Sequence, residues 1–348
     1  MRASLLMRGS LFALVAAIGG TILVVGQVAK PTATQMADSA NKLIGTFDDK
    51  QKKQATFTYN DPHRTTWYFT PQQDKDRKST RKGLPLEAMT AEQKASVLDL
   101  LKVGLSAKGY TQVTTIMSLE GILAELEGKT GAMVRNPNWY FVSIFGEPSN
   151  TGAWGWRVEG HHLSLNFTLD KGQVISATPL MLGANPAEVK AGPKKGLRTL
   201  PEIEDIAKKL MAALTPEQVK VAQQAKQLPE IKEGQPKADV GTRIGLVAEK
   251  MTADQKKLLN QLVEAYANRL PGTIATEELK RYTDAGAGQV AFAYCIEENK
   301  PGKPYTYRVH GPTFVIEFLN VQADASKNPA NHIHSAWRSL PNDFGLAK

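Results

Sequence analysis

The chain has 348 residues, 42% hydrophobic and 22% charged, with a formal net charge of +9. That is enough for one large domain or two modest ones with real cores, without a disulfide or metal staple. Its lysines and arginines are scattered among acids with no basic block interleaved with aromatics, which argues against nucleic acid as a partner, and the single cysteine, Cys295, excludes an intramolecular disulfide.

Met1–Val28 carries Arg2 and Arg8, no acidic residue, and an apolar heart at Leu11–Val25. This is the layout of a secretory signal peptide, or of an N-terminal anchor if it stays uncleaved, so the protein is expected to be exported and to meet a membrane only through this segment. A helix is expected over Thr34–Gln54, then a short β-like run at Thr65–Pro71 and a charged loop at Asp74–Lys82. Thr90 with Gln93 three residues on has the capping-box spacing and opens a helix that buries Val97, Leu98, Leu101 and Leu105. A second helix follows over Val113–Glu127. From Trp139 the period becomes two, and Trp139–Phe145, Trp154–Glu159, His162–Leu169 and Val174–Met181 read as a four-strand antiparallel meander.

Within the meander, Trp154–Leu169 reads as a hairpin turning at Gly160-His161, with the glycine supplying a positive φ. This pairing sets Glu159 opposite His162 and Arg157 opposite Ser164. It gathers Arg157, Glu159, His162, Ser164 and Asn166 on a polar face, and Val158, Leu163, Leu165 and Phe167 on an apolar one.

Asn185–Gly245 differs in composition and reads as a connector with helices at Pro201–Leu214 and Pro216–Gln227, ending in the Lys/Gly/Pro-rich piece Leu228–Gly241. The pattern then returns. Met251-Thr252-Ala253-Asp254-Gln255-Lys256 echoes Met89-Thr90-Ala91-Glu92-Gln93-Lys94, and Tyr307–Phe318 aligns without gaps on Trp156–Phe167. Strands are expected at Gln289–Ile296, Tyr305–His310, Thr313–Leu319 and His332–Trp337. The expectation is an α+β fold built from two pseudo-repeats, about 85–184 and 247–340, each a helix–helix–antiparallel meander with helices covering one side of the sheet. Residues 30–348 then form a single domain after a leader of 1–29.

Candidate chemistry centres on histidine. Asn331-His332-Ile333-His334 places two imidazoles on one side of a strand, the spacing that lets both hold one ion. His162, His310 and, in the turn, His161 complete the pool of metal ligands, with Glu159 as ligand or general base; an N/O set of this kind suits zinc, iron or copper. Arg157 and Arg308 recur beside carboxylates, either as a structural salt bridge in each half or as a clamp for an anionic substrate group. G-x-S-x-G, H-E-x-x-H, a Gly-rich phosphate loop and C-x-x-C are all absent, which disfavours serine hydrolase, zincin, nucleotide-enzyme and thioredoxin functions.

Trp154–Asn166 with its E-G-H-H motif, Gly183-Ala184-Asn185-Pro186, Gly196-Leu197-Arg198, Asn331-His332-Ile333-His334-Ser335 and Asp343-Phe344-Gly345 together resemble the mostly bacterial, often exported family known as domain of unknown function 3500. The resemblance covers nearly all of the chain after the leader and implies one family-wide domain, but no activity. From the residues themselves, the expected function is an exported metal-dependent enzyme acting on a small-molecule or anionic substrate, with hydrolysis as the default and oxidation by iron or copper as the other chemistry of such a centre. The competing expectation is a non-catalytic binding module that uses the polar sheet face.

Overall fold

A computed structural model describes residues 30–128 and 131–346; the leader expected at the N-terminus lies outside them. The fold is α+β. Eight α-helices occur among the described residues: α1 (Thr32–Gly45), α2 (Asp49–Ala55), α3 (Ala91–Gly104), α4 (Ala107–Glu127), α5 (Pro201–Ala212), α6 (Pro216–Ala222), α7 (Ala253–Ala267) and α8 (Gly272–Asp284). The strands are β1 (Thr56–Phe57), β2 (Leu84–Pro85), β3 (Phe141–Phe145), β4 (Trp154–Gly160), β5 (Leu163–Asp170), β6 (Gln173–Ser176), β7 (Leu180–Ala184), β8 (Leu246–Val247), β9 (Ala291–Ile296), β10 (Tyr305–His310), β11 (Phe314–Gln322) and β12 (His332–Ser339).

All twelve strands join one sheet, in the order β1-β3-β4-β5-β7-β12-β11-β10-β9-β8, with β2 on β3 and β6 on β5. Its pairs are antiparallel except β1 with β3, which makes the sheet mixed. The strand expected over Val174–Met181 divides into β6 and β7, and β7 pairs with both β5 and β12. That seam makes the sheet continuous from one half of the chain to the other. The helix expected over Thr34–Gln54 also divides: Asp48 caps Gln51 in a capping box and starts α2 afresh.

Outward from β7 the sheet runs β5-β4-β3-β1 and outward from β12 it runs β11-β10-β9-β8, with the outermost pair parallel on the first side and antiparallel on the second, and certain glutamine contacts occur in both halves. Gln93 donates to Thr46 O at 2.8 Å and Gln51 to Ala88 O at 2.7 Å; Gln255 donates to Ala213 O at 2.7 Å and Gln218 to Lys250 O at 2.9 Å. The stretch read as a connector thus supplies α5 and α6, which make the contacts in the second half that α1 and α2 make in the first.

The two faces of the sheet are covered differently. Alternation sends Trp156, Val158, Leu165 and Phe167 into the main core with the helices, where Trp156 stacks on Phe167 at 4.3 Å and lies so close to Gly104 of α3 that no Cβ fits there. The opposite face carries Arg157, Glu159, Ser164, Asn166, Arg308 and Glu317. Two segments outside the sheet and the α-helices, 61–72 and 228–241, irregular but for a 3-10 turn at Pro62–Thr65, lie over it like straps and bury a smaller core of Trp67, Phe69, Met181, Ile231, Leu319, Ala336 and Phe344. The β-like run expected at Thr65–Pro71 belongs to the first strap and pairs with no strand.

Irregular backbone over a buried face leaves carbonyls that need donors. Arginines supply them. Arg157, 1% exposed, donates to the carbonyls of His63, Arg64 and Thr66 at 2.7–3.0 Å and to Asn166 Oδ1 at 2.6 Å. Arg81 holds Tyr68 O and Thr70 O, Arg308 holds Val240 O, and Arg338 holds Gln235 O. Glu233 joins the straps to each other: its carboxylate accepts from the amides of Phe69 and Thr70 and from the Thr70 hydroxyl at 2.6–3.1 Å.

A candidate metal centre at the seam

The hairpin of β4 and β5 keeps the expected faces but not the expected register. Arg157 stands opposite Asn166 and Glu159 opposite Ser164, so the turn is His161-His162. The positive φ, 61°, belongs to His162, not to the glycine. Gly160 is required for a different reason: a Cβ there would come within 2.5 Å of the Tyr140 ring and 2.8 Å of Trp139 O. The turn is pinned by His162 N donating to Phe69 O and by Gly183 N donating to His162 O, both at 2.8 Å. This swings the His162 ring across β7 toward β12.

There it meets His332 and His334, which alternation places on the same face of β12. The three Nε2 atoms converge: His162 to His332 is 2.8 Å, His332 to His334 is 3.1 Å, and His162 to His334 is 3.3 Å. Nitrogens bound to a four-coordinate ion about 2.0–2.1 Å away stand roughly 3.3 Å apart, so the triangle is close to a ligand set. His162 is 3% exposed and His334 7%. Burial first, and then the surrounding histidines and Arg135, hold His162 well below its ordinary value; burial and His334 bring His332 down to about 2. Both are neutral at pH 7, with lone pairs available for a cation. Three imidazole nitrogens cannot all satisfy each other here. Each Nε2 either carries a proton or a lone pair, so at least two of the three oppose like with like. A cation at the centre removes that conflict.

The surroundings supply what such a centre needs. Glu230, on the second strap, accepts from His334 Nδ1 at 2.9 Å, and Phe69, on the first, sets its ring edge-on to His334 at 5.0 Å. Burial, the largest single influence, pushes the Glu230 carboxyl up, but the hydrogen bond and electrostatic attraction from His334 and the Ile231 amide together hold the group below the usual range. The triad opens onto a cavity of about 460 Å³ whose walls include Met133, Arg135, Glu230, Glu233 and Gln322. Arg135 is fixed by a bidentate pair with Glu127 at 2.9 Å.

The remaining candidates lie elsewhere. His161 lines the same cavity with its ring tilted against His162, centroids 3.7 Å apart, but its Nδ1 is bound to Glu120 of α4, so it stands beside the ligand group, not in it. His310 is not a partner of the triad: β11 separates β10 from β12, and register puts it about 13 Å along the strands and roughly 10 Å across from His334. Burial, with Arg308 and Arg243 nearby, lowers His310 to about 4. Glu159, 1% exposed, lies 3.0 Å from Arg81 Nη1 and accepts from Tyr68 N at 3.1 Å; it lines a separate cavity with His63 and Lys82. Arg157 and Arg308 are spent on strap carbonyls and neighbouring side chains, which corrects the reading of them as substrate clamps. Glu230 was not among the candidates from sequence. It sits in irregular chain, where no period marks which way a side chain points.

No curated protein and no solved structure matches the chain. The profile of the family described as "Protein of unknown function (DUF3500)" matches residues 29–346. The chain, through nearly its whole length and with the E-G-H-H turn and N-H-I-H strand at its candidate centre, belongs to the DUF3500 family.

Proposed function

We propose that this protein is an exported metal-dependent enzyme, a hydrolase of small molecules, in which His162, His332 and His334 hold one divalent ion. The observation that carries the proposal is the convergence of three Nε2 atoms within 3.3 Å of each other at the floor of a 460 Å³ cavity. Three protein nitrogens facing a cavity follow the pattern of catalytic zinc sites, where the remaining position takes water or substrate; structural sites close all four. Such an ion lowers the pKa of bound water and polarises a carbonyl or phosphoryl oxygen. The chain's own residues give the centre its orientation, through Glu230 and Phe69, and a partly apolar cavity with the fixed guanidinium of Arg135 at its wall. The leader-like composition of Met1–Val28 supports export.

The all-nitrogen donor set also suits copper or iron, which makes oxidation the second reading. The binding-module reading uses the polar sheet face, where Arg157 and Arg308 are engaged by the straps and Glu159 lines a second cavity. Metal analysis of untagged protein is the test. One zinc per chain, lost together with hydrolysis of a small ester, amide or phosphoester panel in H332A and H334A, is expected. No stoichiometric metal and no uptake at neutral pH would sink the proposal; one copper or iron per chain would move it to oxidation.

A further inference from the structure

Among the neighbours of the triad, Glu230 stands apart in how it is delivered. Its carboxylate is the sole acidic group among the described residues that is hydrogen-bonded to one of the three converging rings, through His334 Nδ1 at 2.9 Å. Its other oxygen accepts from Ile231 N at 2.9 Å, which fixes the carboxylate to its own backbone. The strap beneath it is fastened on both sides: Leu228 N donates to Thr306 Oγ1 at 3.0 Å, Gly234 N to Trp67 O at 2.7 Å, and Glu233 binds the first strap. The carboxylate is thus anchored independently of the histidine it meets.

The chemistry of that contact is directional. A carboxylate only accepts, so His334 donates from Nδ1, and a neutral ring that donates there presents its Nε2 lone pair toward His162 and His332. The negative charge also makes the imidazole a stronger donor to a cation. With Phe69 edge-on at 5.0 Å, ring rotation is restricted from the other side.

We infer that Glu230 is a positioning residue of the metal centre, setting the tautomer and orientation of His334 and raising the affinity of the site for a divalent ion. This rests on the metal-centre reading above and adds a fourth residue to it, one that the irregular strap contributes and that touches the ion only through His334.

The test measures Zn²⁺ affinity by competition with a chromophoric chelator at pH 7.5, and the visible spectrum of the Co²⁺-substituted protein, for wild type, E230Q, E230A and H334A. Wild type is expected to take one ion per chain. E230Q and E230A are expected to take one ion 10–100-fold more weakly, with shifted cobalt bands, while the unfolding midpoints of their metal-free forms stay at the wild-type value. E230Q keeps the size and the acceptor but not the charge, so a variant that merely fails to fold would be exposed by its midpoint. Wild-type affinity and an unchanged cobalt spectrum in both Glu230 variants would overturn the inference while leaving the metal centre standing. Absence of one-to-one binding by wild type, with H334A indistinguishable from it, would overturn the metal centre and this inference with it.

Discussion

His162 holds a left-handed backbone conformation, φ 61°, that costs a non-glycine residue roughly 1 kcal/mol. The structure tolerates this because the same residue brings its ring to the seam. Replacement by glycine and by alanine should therefore separate the two effects. Both remove a ligand and should abolish stoichiometric metal binding, but His162→Gly should be more stable than His162→Ala by about 1 kcal/mol in urea denaturation of the metal-free proteins. Gly183 is the opposite case. A Cβ there would come within 2.7 Å of Ile333 O and 3.0 Å of His162 Cδ2, between the ring and the strand it crosses. Gly183→Ala should displace His162, costing about 1–3 kcal/mol of stability and weakening metal uptake, both readable in one titration monitored by thermal unfolding. An alanine variant with wild-type affinity would show that the ring does not depend on this close approach.

At the level of elements, the straps explain why polar residues line a buried sheet face. Arg157 supplies donors to three carbonyls of the first strap, so Arg157→Met should leave those carbonyls without their donor and Glu159 with only Arg81 as a cationic neighbour, and destabilise the protein by about 3–5 kcal/mol. Chemical denaturation measures this, and a near-neutral result would show that the strap holds without it. These elements also mark how far the sequence could be read. Strand alternation gave the faces of the hairpins and the shared side of His332 and His334, because a period of two is a local property. The register of the first hairpin differs from the expected one because the positive φ falls on His162 and not on Gly160. Glu230 and the strap role of Arg157 were not legible, since a residue in irregular chain acquires its partners only from tertiary packing. His310 enters the expected ligand pool through its equivalence to Glu159 within the hairpins, and equivalence in one half says nothing of distance from the seam.

For the molecule as a whole, buried histidines away from the seam set a dependence on pH. His63 and His310 are each lowered to about 4, chiefly by burial, with cationic neighbours adding to it. Their folded values lie below the unfolded value near 6.5, so the unfolded chain binds protons that the folded one refuses. Their contribution to stability is complete above pH 6.5 and is lost as pH falls from there toward 4. Urea midpoints at pH 7, 5.5 and 4.5 should decline across that window, and His310→Gln should flatten the slope by up to one proton.

The seam between β7 and β12 has a consequence in time. His162 and His332 meet across 170 positions of chain, and β12 is the last strand of the sheet. No fragment ending before it contains the complete triad, so an ion cannot be captured by the three nitrogens during early folding. Ion uptake would then be among the last events in maturation, its rate bounded by the docking of β12 and its completion a signature that the two halves of the sheet have joined.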